Sequence, residues 1–99
     1  MAPRKVDLYV NSKPVPIEDF VQEFIERVVI GMLKVLKGTG EIKVVHLSIN
    51  GDIVGLKLNN ALVPANPFIN KFIKNTVIGM ASSLKGVGQI DRLEINITE

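Results

Sequence analysis

The chain has no cysteine, no tryptophan, and only one histidine and one tyrosine among its 99 residues. Without cysteine, disulfide bonds and thiolate metal sites are excluded. The single histidine, His46, has no second metal ligand and no nucleophile placed near it by the sequence pattern, so neither a metal cluster nor a nucleophile–base pair is predicted. We therefore expect a protein that is not an enzyme and that holds no metal or cofactor.

Long apolar runs are missing as well. No stretch approaches the roughly 18 consecutive apolar residues that a membrane-spanning helix needs. The basic N-terminal segment lacks the apolar core of a signal peptide, so a cytoplasmic protein without a membrane partner is expected. The net charge is +2, and the charges are mixed along the chain rather than clustered. Nucleic acid is therefore a possible partner, but not the favoured one.

Apolar residues are abundant: 46% of the chain is hydrophobic, and the mean hydropathy is +0.28. A chain this short buries a small fraction of its surface, so its core is thin. The apolar material exceeds what one thin core covers easily. We expect the surplus to be covered by association.

An internal repeat organises the chain. Residues 4–51 align with residues 52–99 at a constant offset of 48 without gaps, and 18 of the 48 pairs are identical. Average composition would give about three identities by chance. The run Val29-Ile30-Gly31-Met32, for example, recurs as Val77-Ile78-Gly79-Met80. The repeat predicts one domain, residues 1–99, built by tandem duplication of a 48-residue unit.

Each copy is predicted to form a β-α-β unit. Apolar residues alternate at Val6, Leu8 and Val10, which is typical of a strand that is buried on one face. A helix of about 18–20 residues follows, and we expect it to end at Gly38 in the first copy and at Gly86 in the second, since glycine favours the left-handed residue after a helix. A second alternating strand completes each copy.

The Asn50-Gly51 pair joins the two copies and predicts a tight hairpin between them. The resulting βαββαβ order predicts an α+β fold, a ferredoxin-like two-layer sandwich with four antiparallel strands and both helices on one face. In an alternative fold, the segments Pro14–Pro16 and Leu62–Pro64 form extra edge strands. That alternative gives six strands, or a dimer that exchanges these segments.

The helices carry more apolar surface than a sheet requires. At 100° per residue the apolar arc of the first helix spans about 220°, against the somewhat more than 100° of an ordinary surface helix. The excess either packs between the two helices or forms an association surface. For an association surface the candidate interface residues are Ile30, Ile78, Leu33, Val29 and Val77.

Two further helix features have a functional and a plain interpretation. Gly31 and Gly79 lie in mid-helix, where glycine is costly; we interpret them as points of close helix–helix approach, with a hinge or a ligand gap as the alternative. The helix charges are inverted between the copies, since Glu23 aligns with Lys71. This inversion could steer the first helix of one subunit to the second helix of another, or it could belong to an ordinary solvated surface.

The expected function is therefore that of a small non-enzymatic protein that forms homo-oligomers through its apolar helix faces. The alternative is a nucleic-acid-binding module that uses the outer face of the sheet, where aromatic and basic side chains could stack on bases and contact phosphates. A small-molecule site at a subunit interface is a third hypothesis. The candidate nucleic-acid face consists of Tyr9, Lys13, His46, Lys57 and Arg92.

Overall fold

The computed structural model describes residues 4–35, 41–63, 66–84 and 86–98. In these ranges the chain forms two helices and six strands. In chain order they are β1 (Lys5–Val10), β2 (Lys13–Val15), α1 (Asp19–Lys34), β3 (Val45–Asn50), β4 (Ile53–Leu58), β5 (Ala61–Leu62), α2 (Pro67–Ser82) and β6 (Arg92–Thr98).

The strands form one sheet in the order β2-β1-β6-β3-β4-β5, and all neighbouring strands are antiparallel. The α+β class is confirmed, and so is the alternative with six strands, because the Pro14 and Leu62 segments pair as β2 and β5. The ferredoxin-like order is not confirmed. In that order the first strands of the two β-α-β units, β1 and β4, would occupy the centre, whereas here the last strands, β6 and β3, do.

The two halves of the chain correspond element by element. The strands β1, β2 and β3 and helix α1 match β4, β5, β6 and α2 at the 48-residue offset, to within one residue at each start. Exchanging matched strands reverses the order of the sheet and leaves it otherwise unchanged. The halves are therefore related by a pseudo-two-fold axis between β3 and β6. Because β6 lies between β1 and β3, the halves are also interleaved.

One face of the sheet holds the core. Along each long strand, buried apolar residues alternate with more exposed ones, as the period of two requires, and the central pair contains fully covered positions such as Val45, Leu93 and Ile97. Both helices pack on this face, α1 through Ile25, Val29 and Leu33 and α2 through Ile73, Val77 and Ala81. Among the described residues, all of the core side chains are aliphatic. Covering each large aliphatic side chain stabilises the fold by about 1.5–3 kcal/mol.

Local turn and cap signals explain several element ends. The β3–β4 hairpin is confirmed, with the two-residue loop Gly51-Asp52 and a φ of 60° at Gly51. Asn66 caps α2 and accepts hydrogen bonds from two backbone amides at 3.1 and 3.2 Å. Both helices have 16 residues and are shorter than predicted. Gly86 adopts a φ of 85° but follows the end of α2 by several residues, and Gly38 lies outside the described residues.

Two asparagines hold the interleaved halves together. The Asn11 side chain accepts from the amides of Asp91 and Arg92 at 2.9 and 3.0 Å and donates to the Gln89 carbonyl at 2.9 Å. Its backbone amide donates to the Arg92 carbonyl. Asn11 belongs to the first half, and all of these partners belong to the second.

Asn59, which aligns with Asn11, makes the equivalent hydrogen bonds from the second half to the first. Asn59 accepts from the amides of Lys43 and Val44 at 2.8 and 3.0 Å and donates to the Glu41 carbonyl at 2.7 Å. Each asparagine is the first residue of a two-residue hairpin loop with positive φ at both positions, 52° at Asn11 and 50° at Asn59. Asparagine tolerates this conformation. The same residue therefore forms the turn and binds the other half of the chain through its side chain. We call the three side-chain hydrogen bonds of each asparagine a clamp.

We predict that Asn11→Gly lowers the free energy of unfolding by about 1–3 kcal/mol, because glycine keeps the left-handed turn but loses the three side-chain hydrogen bonds. Asn59→Gly should have a similar effect. Chemical denaturation of each variant measures the change.

Ser12→Gly is the matched control, since Ser12 has a φ of 68° in the same turn. Removing its side chain relieves backbone strain, so stability should stay equal or rise by up to about 1 kcal/mol. If Asn11→Gly were as mild as Ser12→Gly, the side-chain clamp would contribute nothing.

Candidate interaction surface

The four phenylalanines of the chain lie on the outer surface of the helix layer, not in the core. Phe20 and Phe24 lie one turn apart on α1 and are 73% and 54% exposed. The aligned Phe68 and Phe72 on α2 are 72% and 60% exposed. The ring centroids are 6.4 Å apart in the α1 pair and 6.2 Å apart in the α2 pair. We call this surface the phenylalanine face.

Two apolar hollows open between the helices on this face. One, of about 280 Å³, brings the Phe20–Phe24 pair next to Met80 and Leu84 at the end of α2. The other, of about 220 Å³, brings Met32 and Val35 next to the phenylalanines at the start of α2. The start of each helix thus lies beside the end of the other, so the helices run antiparallel. The hollows are shallow and lined almost wholly by carbon, which suits apolar side chains of a partner.

The mid-helix glycines also face outward. A Cβ atom added at Gly31 or Gly79 would meet nothing within 4 Å beyond the backbone of its own helix. The prediction that these glycines allow close approach of α1 to α2 is therefore wrong. Each glycine instead leaves an open gap on the phenylalanine face.

The interface residues predicted from the sequence need correction. Val29, Ile30, Leu33 and Val77 are buried in the core, and Ile78 is half-buried against it. These side chains pack in or against the core of the chain and do not form an outer surface. The apolar arc was wide enough to include both sides of the helix, and the sheet covers the side that contains Val29 rather than the side that contains Phe20 and Phe24.

The inverted charges of the two helices are partly paired within the chain. Arg4 lies 3.7 Å from Glu26, and the aligned pair, Asp52 and Lys74, forms an ion pair of opposite polarity at 2.5 Å. Glu26 and Lys74 thus each find a partner on the neighbouring strand start. This inversion does not require a second subunit.

A polar hollow of about 650 Å³ lies on the outer flank of α1. Four of its six charged residues pair within the hollow, because Glu26 lies near Arg4 and Glu23 contacts Arg27 at 2.6 Å. It is lined by Arg4, Lys5, Asp19, Gln22, Glu23, Glu26 and Arg27. Such internally paired charges contribute little to the binding of an ion.

The outer face of the sheet combines charges of both signs. His46 lies between Asn96 and Lys57 in the cross-strand register, and its Nδ1 donates to the Asn96 Oδ1 in the tautomer that forms this bond. Tyr9 lies opposite Glu94, whose carboxylate opposes the approach of a phosphate.

Of the two remaining candidates for the nucleic-acid face, Arg92 lies on the outer face of β6 with Glu94, and Lys13 does not share that face. Arg92 lies opposite Asn50 at the end of the sheet. Lys13 lies opposite Val10, and since cross-strand partners share a face, it belongs to the helix side of the sheet. The prediction that Lys13 joins the outer sheet face is corrected accordingly, and nucleic-acid binding on this face stays a prediction.

No helix in the described part of the chain is long and apolar enough to cross a membrane. No protein-family model, curated protein or solved structure matches the chain. The phenylalanine face was missed from the sequence, although one signal pointed to it: all four phenylalanines occupy aligned positions of the repeat.

We predict that the pKa of Asp52 lies below its ordinary value of 3.8, because the Lys74 ammonium donates a hydrogen bond to the carboxylate and attracts its charge. The pair's contribution to stability is then fully present above the unfolded-state pKa and is lost as the pH falls through the lower folded-state pKa. An NMR titration of the carboxyl carbon measures the value.

Lys74→Met should return the pKa of Asp52 toward 3.8. A titration curve that is identical in this variant and in the wild type would show that the ion pair does not form in solution.

Proposed function

We propose that this protein is a non-enzymatic assembly protein whose subunits associate with one another through the phenylalanine face. The observation that carries the proposal is the exposure of all four phenylalanines on one surface. Phenylalanine is normally among the buried residue types. An exposed group of large apolar side chains on a soluble fold is typical of a protein–protein contact.

The residue composition of the helix side and of the outer sheet face supports association through the helix side. The described core is filled by aliphatic residues alone, so the aromatic rings are not needed to complete it. Interfaces are enriched in aromatic residues and depleted of charge at their centres, which describes the helix side better than the mixed-charge outer sheet. Covering each exposed ring would contribute about 1–2 kcal/mol to association.

The size of the surface is sufficient for a stable contact. The subunit is a slab with extents of 37 × 34 × 18 Å, and the helix layer forms one broad side. A standard interface covers roughly 800 Å² on each partner. A broad side of 37 × 34 Å is large enough to hold a patch of that size.

We further propose that the two halves arose by tandem duplication of one β-α-β unit. The 18 identities among 48 aligned pairs and the element-by-element correspondence support this origin. Duplication gives the helix side two matching Phe pairs. A repeated pattern of this kind is suited to isologous association, in which the same patch contributes from both subunits.

The first test is the solution mass from size-exclusion chromatography with light scattering. We expect the wild type to form a dimer or larger oligomer. The variant Phe20→Gln/Phe24→Gln/Phe68→Gln/Phe72→Gln should be a folded monomer, because it removes the exposed rings and leaves the aliphatic core intact. Circular dichroism checks that the variant is folded.

The matched control is Ile53→Gln/Leu62→Gln. These two residues are as exposed as the phenylalanines, at 73% and 75%, but their cross-strand partners Asn50 and Lys57 place them on the other face of the sheet. The control should keep the wild-type mass. A wild type that is monomeric at high concentration would refute the proposal, and a salt-dependent affinity for nucleic acid would then favour the outer sheet face.

A further inference from the structure

We infer that the partner on the phenylalanine face is a second copy of this chain whose helices run antiparallel to those they contact, so that each Phe pair packs over the mid-helix glycine of the facing helix. This inference rests on the proposed function, and it adds which residues of the two copies contact each other. It assigns a role to Gly31 and Gly79, whose open surroundings give them no packing role within the subunit.

The positions along the helix support this pairing. The centre of the Phe20–Phe24 pair is residue 22, and Gly31 lies as far beyond the midpoint of α1 (Asp19–Lys34) as residue 22 lies before it. Antiparallel helices with matched midpoints therefore place the pair opposite the partner's Gly31. The same equality holds in α2, where Phe68 and Phe72 are balanced by Gly79.

The shapes are complementary. Each Phe pair projects from the helix surface, with its rings 54% or more exposed, whereas each glycine exposes bare backbone, with open space where a Cβ atom would lie. Glycine allows another group to approach the backbone closely. Protein interfaces reach the packing density of protein interiors at their centres, and a ring over a glycine can achieve this.

The presence of a destabilising glycine in the middle of each helix also needs an explanation. Glycine in an exposed helix interior is less favourable than alanine, and the open space around both residues shows that alanine would fit in the isolated subunit. The same unfavourable choice occurs in both helices at aligned positions. Close approach of a partner explains both occurrences.

Charge determines which helix faces which. Asp19 and Lys34 are the first and last residues of α1, so an antiparallel contact of α1 with the partner's α1 brings these opposite charges together twice. If α1 faced α2 instead, the same midpoint rule would place Asp19 opposite Ser82 and Lys34 opposite Pro67, and neither of these partners carries a charge. We therefore assign α1 to the partner's α1 and α2 to the partner's α2.

The test is the double variant Gly31→Ala/Gly79→Ala, because the inference predicts opposite effects on folding and on association. Alanine should raise the melting temperature of the dissociated subunit, measured below the dissociation constant, by roughly 4–8 °C for each glycine. It should raise the dissociation constant of the dimer about tenfold or more, because the added methyl groups overpack the space beneath the rings. Analytical ultracentrifugation measures the constant.

A second variant, Gly31→Leu/Gly79→Leu, keeps the test decisive. Leucine adds exposed apolar surface, so a contact that depended on apolar area alone would become tighter. A dissociation constant that rises from glycine to alanine to leucine supports the inference. A constant that stays equal or falls overturns it while leaving self-association intact, and a monomeric wild type overturns the proposed function as well.

The helix assignment is tested by mixing charge variants. Asp19→Lys and Lys34→Glu should each weaken the homodimer several-fold, because each places like charges at both ends of the α1 contact. An equimolar mixture should recover the wild-type affinity as a heterodimer in which one charge pair is reversed and the other is retained. Failure of the mixture to associate better than either variant alone would overturn the contact of α1 with α1.

Discussion

The backbone pairing of β3 with β6 at the centre of the sheet is the constraint on which the rest of the fold depends. Every ladder among the four long strands joins a strand of one half to a strand of the other. Neither β-α-β unit can therefore complete a sheet with its own strands. The clamps of Asn11 and Asn59 follow the same rule, since each fastens the chain segment that leads into the other half's central strand.

This interleaving places both helices on the same side and sets what each surface can do. The helix side covers an aliphatic core and leaves the aromatic rings outside, whereas the outer sheet side carries charges of both signs. An ion pair joins each helix to the start of a neighbouring strand, Arg4 with Glu26 and Asp52 with Lys74. The two pairs make the same contact although their charges are exchanged. Charge at these positions therefore fastens each helix to the strand start beside it.

Periodicity predicted the elements well and their arrangement poorly. The alternation at Val6, Leu8 and Val10 and the Asn50-Gly51 turn are local signals, and both were confirmed. Which strands lie in the centre is a long-range property that alternation does not encode, so the ferredoxin-like order was not confirmed. The helix arc failed for a related reason: an arc of about 220° leaves the direction of the sheet undetermined, so Ile30 was predicted at an outer surface but lies in the core. The inverted charges of Arg4 and Asp52 could have been found, because the same offset aligns them.

The interleaved strand order also affects the order in which the strands pair during folding. The local hairpins, β1 with β2 and β3 with β4, can form early, because each loop contains only two residues. The insertion of β6 between β1 and β3 must wait for contacts that span nearly the whole sequence, and closing such long loops slows folding. We expect β6 insertion to be the step that commits the chain to its native state. Until then the apolar edges of two separate hairpins are exposed to other chains. Slow insertion of β6 therefore gives aggregation more time to occur.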